Sequence, residues 1–138
     1  MKIDIYVDGS YSPTLQKYGC GIVVVKDGEV LREFSVPGNE PAFNKFHNVA
    51  GEVFAAMLAL MWVTDNVENP EPTLHYDYQG LELWVTGKWK TNSTLAIAYK
   101  EAVTKLPYKV NFVKVRAHTG NTFNERADAL ARKAVGLS

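Results

Sequence analysis

The sequence predicts an α/β fold, one mixed sheet with helices packed on it. Three observations carry this. The first third holds three β-rich runs, "KIDIYVD" (2–8), "GCGIVVVK" (19–26) and "EVLREFSV" (29–36), separated by turn signals. Beyond residue 48, helix-like and strand-like stretches follow in the order α, β, α, α, β, α, the pattern of a sheet covered by helices. Finally, "VAGEVFAAMLALMWVTD" (49–65) is apolar nearly all round, so it has to be buried between other elements.

Each element has its own signal. The first run alternates and closes on Asp8-Gly9-Ser10, which reads as a turn. Asp27-Gly28 between the second and third runs is a hairpin signal, so three consecutive antiparallel strands are expected. Residues 37–47, with Pro37, Gly38, Asn39 and Pro41, read as loop. The helix over 49–65 carries Gly51 as a mild cost near its start, and "NVENPEP" (66–72) closes it. "TLHYD" (73–77) reads as a strand and "YQGLELWVTG" (78–87) as a short helix. "STLAIAYKEAVTKL" (93–106) is a helix ended by Pro107, and "YKVNFVKV" (108–115) alternates as a strand. The last helix spans 122–134, with Thr122 and Glu125 as a capping box and an apolar stripe of Ala127, Leu130, Ala131 and Ala134.

A chain of 138 residues suits one domain, and 46% hydrophobic and 12% aromatic content supplies a real core. Cys20 is the single cysteine, which excludes an internal disulfide and fits a reducing compartment. No run of about 18 apolar residues predicts a membrane span. The chain opens directly on a strand pattern without a secretory segment, so a cytoplasmic location is expected. The net charge is zero but unevenly spread. Residues 1–85 hold 5 basic against 12 acidic side chains, and residues 86–138 hold 10 against 3. A basic half of this kind can face a polyanion, although lysines on solvated helix faces give the same count.

Four acids stand in demanding places. Glu52 is the only acid between Lys45 and Asp65, in what reads as the first turn of the helix that needs burial. An unpaired buried carboxylate costs several kcal/mol or takes up a proton. The plainer reading is an acid favoured by the helix dipole. Asp8 ends the first strand and fits an Asx turn. Asp77 ends the strand before a helix and fits an N-cap, but the ends of strands that precede helices are also where α/β sheets bind ligands. Asp128 lies one step, about 100°, off the apolar stripe of the last helix and fits a solvated acid. Taken together, the four come from elements that pack on one sheet. Clustered carboxylates of this kind suit hard divalent cations, Mg²⁺ or Mn²⁺.

The segments "YVDGSY" (6–11), "NVAGE" (48–52), "YDYQG" (76–80) and "RAHTGNTFNERADALARKA" (116–134) resemble type 1 ribonuclease H, in order and across essentially the whole chain. The resemblance implies a ribonuclease H-like fold over residues 1–138: a five-stranded mixed sheet, strands 1–3 antiparallel, with helices on both faces. It implies a monomeric endonuclease that hydrolyses the RNA strand of RNA/DNA hybrids with two Mg²⁺ ions, Mn²⁺ being a substitute. Asp8, Glu52, Asp77 and Asp128 would be the metal-binding carboxylates, and His118 a loop histidine that assists proton transfer or product departure. Backbone groups around Gly9, Ser10 and Glu52 would read the 2′-hydroxyl of RNA, and Asn48 resembles a family residue that contacts the hybrid in its minor groove. Lys88, Trp89, Lys90, Thr91 and Asn92 would meet the DNA strand, whereas Trp84 reads as core. The sequence departs from the family pattern in three places. Only 15 residues lie between Asp77 and Ser93, too few for the basic helical insertion many members carry. Tyr78 stands where a Ser is frequent, and His47 where a small polar residue is frequent. Other readings are a non-catalytic hybrid or duplex binder, a DNA-junction nuclease of the wider superfamily, and a small-molecule domain. The last lacks a glycine-rich phosphate loop.

Overall fold

The computed structural model describes residues 1–38, 40–115 and 122–137. Asp27 and Gly28 take φ values of 52° and 80°, the left-handed pair that a two-residue hairpin turn asks for. That turn joins β2 (Lys17–Lys26) to β3 (Glu29–Gly38), antiparallel as expected. β1 (Lys2–Ser12) pairs antiparallel with β2, parallel with β4 (Glu71–Tyr76), and β4 pairs parallel with β5 (Asn111–Lys114). The sheet runs β3-β2-β1-β4-β5, so β1 is central.

The helices are α1 (Pro41–Asn44), α2 (Asn48–Asn66), α3 (Gly80–Thr86), α4 (Thr94–Thr104) and α5 (Thr122–Ala134). Strand alternation divides them between two faces. Ile3, Ile5 and Val7 of β1, with Leu74 of β4, pack in one cluster with Val53 and Leu60 of α2, Leu81 of α3 and Tyr99 of α4. Tyr6, Val23 and Val25 turn the other way, onto Ala127 and Leu130 of α5. α2 lies over the sheet with α4 beside it, but its apolar surface is not covered all round as the sequence suggested: Leu58 and Met61 stay exposed. Trp84 is core, as read from sequence.

Three boundaries differ from the sequence reading. β1 does not stop at Asp8 but runs on to Ser12, pairing with β2 throughout. The turn follows it instead, where the Leu15 amide donates to Ser12 Oγ at 3.2 Å. Gly9 is therefore not a turn residue. A Cβ there would overlap the Asn48 carbonyl oxygen and the Glu52 amide nitrogen, so the glycine admits the backbone of α2 onto β1. Within 37–47, Pro41 opens the single-turn α1, with no buried residue. β5 starts at Asn111, later than the alternation suggested. Before it, Tyr108 turns to α2, its hydroxyl donating to the Leu60 carbonyl at 3.0 Å. α5 spans Thr122–Ala134, as read from sequence.

Candidate active site

Asp8 sits on β1 opposite Gly21 of β2. Its neighbours Asp4 and Tyr6 share its side of the strand, so it faces α5. Gly21 makes that approach possible: a Cβ there would overlap the Ala127 carbonyl oxygen of α5. Asp128, the next residue, is brought within hydrogen-bond reach of Asp8. On the other side of the sheet, Gly51 does the same for α2, since a Cβ would overlap the Gly19 carbonyl oxygen. The sequence cost of Gly51 is thus offset by close packing that sets Glu52 beside the central strand.

Glu52 is 4% exposed. It lies one turn inside α2, which starts at Asn48, not in the first turn as the sequence suggested. The relief expected from the helix dipole is therefore weaker, because that effect fades beyond the first turn. Its partners come from elsewhere: Oε2 accepts the Tyr78 amide at 2.7 Å and the carboxylate also accepts the Asp77 amide. Burial pushes the Glu52 carboxyl up to about 8, with Asp8 and Asp77 adding to the rise and the two amides opposing it. Asp8 is pushed up to about 7, first by burial, then by Asp128 and Asp77, although Oδ1 accepts the Gly9 amide at 2.8 Å.

Asp77 follows the last residue of β4. Extending the Tyr6–His75 register by two residues sets it level with Asp8. It does not cap α3: the capping position is Gln79, which makes no side-chain cap. The side chain of Asp77 is 56% exposed and meets Lys114 Nζ at 3.5 Å.

Asp8, Glu52 and Asp77 line one cavity of about 310 Å³ with Asn48 and Trp89. Tyr78, Gln79 and Lys114, none of them singled out as site residues from sequence, line it too. Trp89 is half-exposed, its ring edge-on to Tyr78 and Trp84. Its neighbours Lys88, Lys90 and Asn92 are exposed and Thr91 half-buried, outside the cavity wall. Gly9 and Ser10 lie in β1 opposite Cys20 and Gly19 and are not among the residues lining the cavity. His118 lies outside the described residues.

Among the described residues the site gathers carboxyl groups with Lys114 as the one cation in its lining. Burial and mutual repulsion favour the protonated forms of Asp8 and Glu52. As the side chains stand, no three His, Cys, Asp or Glu groups among the described residues close around a metal position. The four carboxylates are coupled electrically all the same, and their donors are hard oxygens of the kind Mg²⁺ and Mn²⁺ prefer.

A family model for RNase H matches residues 1–136. The chain belongs to the ribonuclease H family. A ribonuclease H of Chlorobium limicola is 30% identical over 142 residues, covering 97% of this chain and 95% of its own length. One from Prosthecochloris aestuarii is 32% identical over 149 residues, with the same coverage of 97% and 95%. Among solved structures, RNase H1 from the halophilic archaeon Halobacterium salinarum NRC-1 superposes with a TM-score of 0.78 at 26% identity and covers 100% of both chains. LC11-RNase H1, solved in complex with an RNA/DNA hybrid, has a TM-score of 0.75 at 20% identity over 97% of this chain and 96% of that one. The ribonuclease H sheet, with strands 1–3 antiparallel and helices on both faces, is the one found here. No helix among the described residues is long and apolar enough to cross a membrane.

Proposed function

We propose that this chain hydrolyses the RNA strand of RNA/DNA hybrids and that Asp8, Glu52, Asp77 and Asp128 form its catalytic centre. What supports the reading is that Asp8, Glu52 and Asp77 line one cavity and that Asp128 of α5, outside its lining, lies within hydrogen-bond reach of Asp8, with Asp8 and Glu52 held above the ordinary carboxylate range. A module that only bound nucleic acid would not gather acids where phosphates must come. The ribonuclease H relatives and the hybrid complex of LC11-RNase H1 support the substrate class.

The donor chemistry fits two Mg²⁺ ions, with Mn²⁺ as substitute. When bound, they would supply a nucleophile from water and offset charge on the attacking and leaving oxygens. The protein's own groups set the geometry. Asp8, on the central strand and in reach of Asp128, would hold the cations together with Glu52, Asp77 and Asp128. Glu52 is fixed by two backbone amides and cannot swing away without losing both. Asp128 and the exposed Asp77 complete the set from opposite sides. His118, with an unperturbed pKa of about 6.5, would exchange a proton at neutral pH. Asn48, with backbone at Gly9 and Ser10, is assigned to the RNA side, where a 2′-hydroxyl distinguishes RNA from DNA. Trp89 is assigned to a deoxyribose, with Lys88, Lys90, Thr91 and Asn92 towards phosphates of the DNA strand.

End-labelled RNA/DNA hybrid, double-stranded RNA and double-stranded DNA, each incubated with Mg²⁺ or EDTA, test this. The wild type should cut RNA in the hybrid alone, only with Mg²⁺, and Asp77→Asn should abolish cutting. Equal cutting of double-stranded DNA would replace hybrid specificity with a broader nuclease. Binding without cutting would replace catalysis with recognition.

A further inference from the structure

Lys114 is the only cation lining the carboxylate cavity among the described residues. The sheet fixes its place. It ends β5 in register with Tyr76 of β4, and the amide of the next residue, Val115, donates to the Tyr76 carbonyl at 2.7 Å. The side chain therefore stands beside Asp77, one residue past the end of β4.

Two features argue against a pair built for stability. The side chains are 42% and 56% exposed, and ion pairs in such surroundings contribute little. The 3.5 Å separation is also longer than the roughly 2.7–2.9 Å of a strong charge-assisted hydrogen bond. An ammonium has three donors, and a loose contact with one carboxylate oxygen leaves donors for another acceptor. A phosphodiester strand entering this cavity meets the carboxylates of Asp8, Glu52 and Asp77, and the one positive group on the wall among the described residues ends a strand of the sheet.

We propose that Lys114 is a substrate-binding residue: its ammonium takes a backbone phosphate of the strand that enters the cavity, while Asp77 holds it at the rim. This rests on the hybrid-cleaving reading above. It explains why a lysine in the plain strand "NFVK" lies in the cavity wall when the other lysines of the basic half do not.

The test compares wild type, Lys114→Gln and Lys114→Arg in Mg²⁺-dependent cleavage of the hybrid, and in binding of a fluorescent hybrid in EDTA at several salt concentrations. Thermal melting checks that each variant is folded. For Lys114→Gln, KM and Kd should rise about 3–10-fold and the slope of log Kd against log salt should drop by roughly 0.7–0.9, the loss of one phosphate contact. kcat should stay within about twofold, since phosphate binding of this kind is uniform between ground and transition states. Lys114→Arg should recover most of the affinity and the salt slope, because it keeps the charge. Unchanged KM, Kd and slope in Lys114→Gln, in a wild type that cuts hybrid, would overturn the role of Lys114 and leave the proposed activity standing. So would an equal loss in Lys114→Arg, because charge would then not be the cause. A wild type that cuts no hybrid would remove both.

Discussion

The inner and outer walls of the site hold their acids in opposite ways. Glu52, on the inner wall, is buried and tied to the amides of Asp77 and Tyr78, and Asp8 beside it is crowded by Asp128. On the outer wall, Asp77 is exposed and loosely paired with Lys114. The inner acids are therefore rigid and energetically unfavourable without a cation. The outer one is accessible and contributes little to the fold. On the proposed function, folding free energy is given up on the inner wall, where cation ligands would have to be fixed, and contact with substrate would belong to the outer wall.

The largest effects should come from neutralising either wall and comparing activity with stability. Asp8→Asn, Glu52→Gln and Asp77→Asn should each lower hybrid cleavage on the order of 10³-fold. Their melting temperatures should separate them. Glu52→Gln keeps an oxygen for the two amides and loses the buried charge, so in EDTA at pH 8 it should melt roughly 5 °C above wild type. Asp77→Asn should melt within about 2 °C of wild type, as a surface change does. Equal shifts in the two variants would break the contrast.

Next in size is Gly9→Ala. The added methyl group meets α2 backbone at Asn48 and Glu52, so the helix has to shift, at a cost of about 2 kcal/mol or more. Denaturant unfolding should show a lower midpoint with an unchanged slope, and cleavage should fall because Glu52 moves with the helix. A wild-type midpoint would mean that the glycine is not needed for close approach.

A smaller effect concerns pH. The folded-state values of Asp8 and Glu52 are raised, from 3.8 to about 7 and from 4.5 to about 8. Between these limits the folded protein holds protons that the unfolded chain has released. Metal-free stability should therefore fall as pH rises from about 4 to about 8. Mg²⁺ should raise the melting temperature more at pH 8 than at pH 5. Cys20 provides the control: it pairs with Gly9 in the β1–β2 register, and burial alone pushes its thiol up to about 12. Its reaction with a thiol reagent at pH 8 should require unfolding and be insensitive to Mg²⁺ beyond the change in global stability.

Much of this was legible in the sequence because it is local. The Asp27-Gly28 turn sets its own φ values, and the stripe Ala127, Leu130, Ala131 sets the buried side of α5. The four acids stood out because acids are rare on elements that pack on a sheet. What escaped depends on neighbours distant in sequence. Asp8-Gly9-Ser10 has the composition of a turn, and only the arrival of α2 shows why β1 continues through it. Gly51 looked like a helix defect until the Gly19 carbonyl was seen beneath it. Lys114 and Gln79 carry no sequence signal, since a lysine ending a strand and a glutamine before a helix are ordinary surface residues. His118, named by resemblance, lies outside the described residues.

Equilibrium Mn²⁺ binding, followed by the paramagnetic resonance of the free ion, tests the central claim most directly. With hybrid present, the wild type should take up as many as two Mn²⁺ ions per chain, and Asp8→Asn should lose most of that uptake while remaining folded. Equal Mn²⁺ uptake by wild type and Asp8→Asn would show that the four carboxylates do not form a common cation site.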